Sequence, residues 1–289
     1  MDKPPRILSG IDYLALPSSP ATWLIEPLLP SGGAMLLYGD PKIGKSFAAL
    51  QLANAIQNGL PWLGLPTRRG NVAYIQLDTP RNVWQARIRD LVARGAMDSL
   101  PSFADRETLN TWPFDILKPE HLIILREELQ ALGPDLVILD TLREAHSADE
   151  NDSTQMQSAI AAIVAATQPA AIALVSHSRK PSQDDGFSLM NDNRGSSYVV
   201  GRMDAIIRFL PKTARLSGRS IEEHTIELER LDSGFWEAAA TEVDRHVANV
   251  LADASLDSIR SKAKTLAKLI GKTESASRGL LRRKLASTR

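Results

Sequence analysis

Eight residues constrain this chain more than any others. Gly39-Asp40-Pro41-Lys42-Ile43-Gly44-Lys45-Ser46 has the form G-x-x-x-x-G-K-S, a glycine-rich loop whose backbone N–H groups point at phosphate oxygens. Such a loop works between a buried strand and the N-terminus of a helix, whose partial positive charge adds to the cradle. Both flanks are present. Ala34–Tyr38 (AMLLY) is a short apolar run of the kind a buried parallel strand shows, and Ser46–Ile56 (SFAALQLANAI) is an alanine- and leucine-rich helical pattern. The whole loop from Gly39 to Ser46, with Phe47 beside it, is the candidate nucleotide-binding segment. Lys45 would reach the β and γ phosphates and the Ser46 hydroxyl would hold Mg²⁺, so ATP and Mg²⁺ are the expected ligands.

The rest of the chain repeats the strand–helix alternation. Asn71–Leu77 reads as a strand ending at Asp78, Asp135–Leu139 as one ending at Asp140, and Ala170–Ser176, Ala205–Leu210 and His224–Leu231 as further strands. Arg81–Ala96, Glu120–Leu132 and Ser153–Thr167 have helical spacing, whereas 97–118 is irregular and Ser178–Asn193 is a polar loop. Residues 1–30 form a proline-rich lead-in anchored by Trp23–Leu29. Strands alternating with helices imply an α/β fold with a mostly parallel sheet covered on both faces. Asp140 follows Leu136-Val137-Ile138-Leu139, as does the strand-end acid that helps hold Mg²⁺ in such sites. Thr141, not glutamate, comes next, so a water-activating base must lie elsewhere.

Composition narrows the class. At 289 residues the chain can hold one large α/β domain and a small appendage. It has no cysteine, which excludes disulfides and thiolate metal sites. No run approaches the ~18 apolar residues of a membrane span, and the N-terminus lacks the apolar stretch of a signal peptide. A cytoplasmic protein without membrane contact is expected. The formal net charge of zero hides a split: from Arg260 onward there are ten basic residues and one acid, so the tail carries +9 and the remainder −9. A basic tail on an acidic body points to nucleic acid at the C-terminal end.

Within that tail, Thr265–Leu285 reads as a helix-turn-helix-like (or winged-helix) unit with Gly271 at the turn. Leu266, Ala267 and Ile270 mark one apolar face; Ala276, Leu280, Leu281 and Leu285 mark the other. Ser275, Ser277 and Arg278 would then face the major groove of duplex DNA, with Lys272, Arg282 and Arg283 on phosphates. A helical hairpin for subunit contacts is the competing reading. The expected domains are 1–235 and 236–289.

Four segments follow one another in order: Asp140-Thr141-Leu142-Arg143, the acidic stretch Ser147–Asn151, Leu174-Val175-Ser176-His177-Ser178-Arg179-Lys180, and Arg194-Gly195-Ser196-Ser197. Over roughly residues 20–230 the chain thereby resembles the RecA-like ATPases of the RepA type, the hexameric replicative helicases of broad-host-range plasmids. The resemblance implies a RecA-like fold, a homo-oligomeric ring and ATP bound between subunits. It implies that Asp78 activates the attacking water, where the family usually has glutamate. Aspartate is shorter by one methylene, and geometry is the first requirement of a general base, so slow turnover is an expectation. His177 takes the place of the γ-phosphate sensor. The loop Ser178–Asn193 takes the place of the single-stranded-DNA contact, with Arg179 and Lys180 on phosphates, Phe187 on a base, and Asp184, Asp185 and Asp192 opposing. Arg194 is the first candidate for an arginine finger, with Arg202, Arg208 and Lys212 as alternatives. The expected function is a DNA helicase of a mobile element. A nucleotide-switched DNA-binding regulator and a RecA-type recombination mediator are the alternatives.

Overall fold

The computed structural model describes residues 8–17, 22–109, 113–150, 152–178, 197–239, 247, 249–253, 255, 256, 258–271 and 273–287. The chain divides into two compact units, Met1–Glu237 and Ala238–Arg289.

The first unit opens with a short helix α1 (Gly10–Leu14) and a two-stranded sheet of β1 (Trp23–Ile25) and β2 (Leu29–Pro30). There follow β3 (Ala34–Gly39), α2 (Lys45–Asn58), β4 (Val72–Gln76), α3 (Arg81–Ala93), β5 (Ser102–Asp105), α4 (Pro119–Leu132) and β6 (Leu136–Asp140). A 3-10 turn (Leu142–Ala145), α5 (Ser153–Thr167), β7 (Ala171–His177), α6 (Ser197–Arg202), β8 (Ala205–Phe209), β9 (Thr213–Gly218), β10 (Ile221–Arg230) and β11 (Trp236–Ala238) complete the order. The main sheet has nine strands in the order β11-β10-β9-β8-β3-β7-β6-β4-β5. From β8 to β5 neighbours run parallel; β8 with β9 and β9 with β10 are antiparallel. The phosphate-loop strand β3 thus lies inside a mostly parallel sheet between β7 and β8, the arrangement of a RecA-like P-loop core.

The central strands β3, β6 and β7 are apolar along most of their length because both of their faces are covered. Met35 and Leu37 of β3, Leu136 and Ile138 of β6 and Ala173 and Val175 of β7 pack with α2 and α3 through Leu50, Leu52, Trp84 and Ile88. The alternate residues Leu36, Tyr38, Val137, Leu139, Ile172 and Leu174 pack with α4, α5 and α6 through Leu125, Met156, Ile160 and Val199. Helix ends follow local chemistry. Asp152 caps α5 by accepting from the N–H groups of Thr154 and Gln155 at 2.8 and 3.1 Å, and Gly133 (φ +59°) closes α4 in the left-handed conformation.

Two expectations need correction. Residues 97–118 are not wholly irregular, since β5 forms there. It is a four-residue edge strand with no fully buried position, so it carries no hydrophobic run to read. No strand is expected over 213–218, yet β9 forms there: only Ala214 and Leu216 are buried along it, and its partner β10 is mostly exposed.

The second unit contains α7 (Ile259–Ile270) and α8 (Glu274–Ser287), with Gly271 (φ +62°) closing α7. Its core is Val247, Val250, Ala263, Leu266 and Leu281, with Ile270 and Leu280 packed against it. Ser277, expected to face DNA, is instead fully buried. It lies four residues before Leu281, one helical turn away on the same face, and its hydroxyl donates to the Thr273 carbonyl at 3.0 Å. Ala276 and Leu285, expected in that core, are exposed. Among the described residues no helix is long and apolar enough to cross a membrane.

Candidate nucleotide site

Parallel register brings the chemistry to one edge of the sheet. Gly39 stands opposite His177, Asp140 opposite Val175, and Gln76 opposite Asp140. The segments carrying Gly39, Asp78, Asp140 and His177 therefore emerge together at the carboxyl ends of the strands, where open α/β sheets bind ligands.

At the end of β3 the loop needs glycine twice. A Cβ on Gly39 would lie 2.5 Å from the Phe209 carbonyl oxygen. Gly44 has φ +106°, and a Cβ there would lie 3.1 Å from the Trp236 indole nitrogen. Lys42 also takes a positive φ, +66°. Gly44 is the N-cap of α2 and no side chain caps that helix, leaving its first-turn N–H groups for an anion.

Lys45 is 5 % exposed. Its Nζ donates to the Gly39 and Asp40 carbonyls at 3.0 and 2.9 Å and lies 3.2 Å from His177 Nδ1. Burial lowers its pKa from 10.5 to about 8, against the pull of Asp140, Asp40 and Asp78. The loop is tied from the other side too. The Ser178 N–H donates to the Gly39 carbonyl at 3.0 Å, and the Ser178 hydroxyl donates to the Asp40 carboxylate.

Asp140 is wholly buried. The Tyr74 hydroxyl donates to its Oδ2 at 2.7 Å, while Oδ1 is buried with no hydrogen-bond partner among the described residues. Burial pushes its carboxyl group above the usual range; Tyr74 and Ser46 hold it down, as does the charge of Lys45, while Asp78 adds to the rise. A buried carboxylate oxygen lacking a donor, influenced by a serine hydroxyl, has the donor set a hard divalent cation takes. These residues fit Mg²⁺.

Asp78 follows β4 by two residues and is exposed, yet its charge acts on both Lys45 and Asp140. The residue before it is held firmly. Leu77 N–H donates to the Asp140 carbonyl at 2.6 Å, and the Leu77 carbonyl accepts from Arg106. Arg106 also pairs with Glu144 at 3.0 Å. Beside this strand end is an open cavity of about 820 Å³ lined by residues including Thr79, Arg81, Gln85 and Arg106. Arg81 grips Asp105 through two bonds of 2.6 and 2.5 Å, which lowers the Asp105 pKa to about 2.

Several neighbours carry no motif and escape a sequence reading. Tyr74 is one, an ordinary strand aromatic until its hydroxyl meets Asp140. A second group surrounds Phe47. The Arg87 guanidinium lies 5.0 Å from its ring, and Arg230 lies 5.4 Å from both Phe47 and Trp236. Gln51 fixes the Trp236 backbone with bonds of 2.5 and 3.0 Å. Rings and guanidinium planes adjoining the loop can hold a flat heterocycle. Only the distant pairing of β10 and β11 with the core brings Arg230 and Trp236 here.

Other predicted residues divide by position. Arg179, Lys180, Asp184, Asp185, Phe187, Asp192, Arg194 and Lys272 lie outside the described residues, as does the Arg283 side chain. Arg202 ends α6 and is exposed, Lys212 is exposed between β8 and β9, and Arg208 is half-buried on β8. On α8, Ser275 and Arg282 are exposed, whereas Arg278 pairs with Glu274 at 2.9 Å.

A strand, a glycine-bounded loop with its lysine, an uncapped helix start and a buried strand-end aspartate together define a P-loop nucleotide triphosphatase. The family model described as an AAA domain matches residues 4–183, well over half the chain, and the chain belongs to that family of ATPases. Among solved structures, it is similar to a KaiC-like protein of the hyperthermophilic archaeon Pyrococcus horikoshii OT3, with 11 % identity over 74 % of this chain and 93 % of that one, TM-score 0.48. It is also similar to the RadB recombinase, with 16 % identity over 72 % of this chain and 91 % of that one, TM-score 0.49.

Proposed function

We propose that this chain is a DNA-acting ATPase, working as a ring helicase of the RepA type for a plasmid, phage or integrated element. The observation that carries the reading is the contact of Lys45 with His177, 3.2 Å apart. It joins the phosphate loop to the strand that leads directly into Arg179 and Lys180.

On this reading the loop N–H groups and Lys45 hold the phosphates, and Phe47, Arg87, Arg230 and Trp236 hold the base. Ser46 and Asp140 would hold Mg²⁺, which when bound neutralises phosphate charge. Asp78 accepts the proton of the attacking water. His177 is released from Lys45 when phosphate takes the ammonium, and passes that change to the following segment. An arginine from a neighbouring subunit, Arg194 first among the candidates, completes the site in a homohexamer. The basic C-terminal unit adds duplex contacts through Ser275, Arg282 and Arg283.

A second reading is a nucleotide-gated DNA-binding switch with slow hydrolysis. It is favoured by Asp78, which is exposed and one methylene short of the glutamate its family carries.

The test is ATP hydrolysis with and without single-stranded DNA, with Lys45→Ala as the blank, followed by unwinding of a forked duplex. DNA-stimulated turnover that the blank loses, together with strand separation, supports the helicase. Tight ATP binding with negligible turnover that no DNA stimulates would sink it in favour of the switch. Filaments instead of closed rings in micrographs would favour a recombination mediator.

A further inference from the structure

Asp78 is a short side chain in solvent, so its aim is decided by the backbone beneath it. An aspartate carboxylate turns on one side-chain torsion fewer than a glutamate's and swings little once its Cα–Cβ direction is set. That direction follows from the peptide planes on either side of the Cα. Both planes are pinned. The Leu77 carbonyl, in the plane before Asp78, accepts from Arg106 Nε. The Thr79 N–H, in the plane after it, donates to the Oε1 of buried Gln76 at 3.0 Å. One peptide further back, the Leu77 N–H donates to the Asp140 carbonyl at 2.6 Å.

Arg106 is the charged member of this set, and it reaches in from the edge strand. Gln76 stands opposite Asp105 in the parallel pairing of β4 with β5, which sets Arg106 beside Leu77. Its neighbours in sequence turn elsewhere: Asp105 and Glu107 both hold Arg81, at 2.6 and 2.7 Å. The Arg106 guanidinium also engages a second nitrogen. Nη2 donates to Glu144 Oε2 at 3.0 Å, and Glu144 belongs to the 3-10 turn that follows Asp140. One side chain thus spans the end of β4, which leads into Asp78, and the turn beyond β6, which ends in Asp140. A planar guanidinium held by two of its nitrogens fixes angle as well as distance, which a lysine ammonium does not.

We propose that Arg106 is a positioning residue for hydrolysis. It fixes the peptide plane before Asp78, and through Glu144 it keeps that plane in register with the turn beyond Asp140. This role rests on the reading of Asp78 as the base that accepts the proton of the attacking water, and it assigns work to a residue that no motif marks. Because the contact is to the backbone, its loss leaves the Asp78 carboxylate intact and misdirects it. Misplacement by about 1 Å costs about 10²-fold in rate. The phosphate loop holds the nucleotide by other groups, so kcat should fall while KM for ATP should not.

The experiment is phosphate release from radiolabelled ATP by the full chain, with and without single-stranded DNA, followed over hours so that slow variants are read. Arg106→Gln should lower kcat about 10- to 100-fold and change KM by less than about twofold. Arg106→Lys, which can bond to one partner at a time, should recover part of the loss, and Glu144→Gln should cost less than Arg106→Gln. In the Asp78→Asn protein no base is left to aim, so adding Arg106→Gln there should cost less than about twofold more. A further loss of about tenfold in that background, a rise in KM that matches the fall in kcat, or full activity in Arg106→Gln overturns the proposal and leaves the ATPase reading standing. Should thermal melting show that Arg106→Gln does not fold, Arg106→Lys and Glu144→Gln decide. No loss in either, or losses as large beside Asp78→Asn as without it, overturns the proposal. An intact protein that releases no phosphate, or an Asp78→Asn protein as fast as the intact one, overturns the reading of Asp78 and this role with it.

Discussion

Asp140 ends one strand and Asp78 follows its parallel neighbour in the same sheet, and their carboxylates live in different media. Asp140 is sealed from water and gripped by Tyr74. Asp78 stands in solvent, with its backbone neighbours Leu77 and Thr79 tied down. The fold has thus prepared the cation side of the site in advance and borne the cost of desolvating a carboxylate there. On the side where we propose that Asp78 activates water, it prepares a position and leaves the side chain exposed. A site half rigid and half solvated suits an ATPase whose turnover depends on a partner, whether a second subunit or DNA.

Substitutions at each aspartate, or at its support, can break that contrast. The largest effect is expected at Asp78. Asp78→Asn should lower turnover by about 10²–10⁴, the share of a general base, with little change in ATP affinity or melting temperature because the side chain is exposed. Asp78→Glu should raise turnover if reach is what limits it. Steady-state hydrolysis beside nucleotide titration checks both, and equal losses of binding and turnover in Asp78→Asn would place this residue with Asp140 instead.

Tyr74→Phe comes next. It removes the hydroxyl that orients Asp140 and should cost about 10–100-fold in Mg²⁺-dependent affinity or activity, as loss of such supporting partners does. A magnesium titration of nucleotide binding checks it.

The pH dependence of ATP binding is smaller. Lys45 loses its proton above about pH 8 in the free protein, and bound phosphate raises that pKa. Between the two values binding takes up a proton, so affinity falls as pH rises, by at most about tenfold per unit. Lys45→Ala should be flat over the same range. Stability of the unliganded protein should slope the other way. An unfolded lysine keeps its proton to 10.5 while the folded one holds it only to about 8, so stability rises with pH between them.

The smallest effect is expected at Ser277. Ser277→Ala should shift the stability of the C-terminal unit by about 1 kcal/mol or less, since it trades one hydrogen bond for better helix propensity. DNA affinity should not change, whereas Arg282→Gln should weaken binding in a salt-dependent way. A loss of affinity in Ser277→Ala would return that residue to the surface.

The parallel core was readable because its signals are local. An apolar run followed by an acid or a glycine loop marks β3, β4 and β6, and a strand end fixes where Asp78, Asp140 and His177 emerge. What escaped was carried by pairing across distance. β5 and β9 have few buried residues of their own and form because a neighbour offers hydrogen bonds. Tyr74, Arg230 and Trp236 belong to no motif, and each gains a role only from what the fold sets beside it. Ser277 was misplaced for a related reason. The expected apolar face ran through Ala276, Leu280, Leu281 and Leu285. The helix buries Leu281 with Leu280 packed beside it, but turns Ser277 inward in place of Ala276, the serine being satisfied by its own helix.

The ties on Lys45 have a consequence for every affinity measured on this protein. Two backbone carbonyls occupy its ammonium, with His177 close by, so the loop acts as its own competitive inhibitor. An incoming nucleotide must displace contacts worth about 1 kcal/mol each, and its apparent dissociation constant reports the difference between two occupants of one lysine. Loosening that grip at His177 should tighten nucleotide binding, and a protein that bound ATP more strongly while responding less to it would show that the weaker affinity was the signal's fuel.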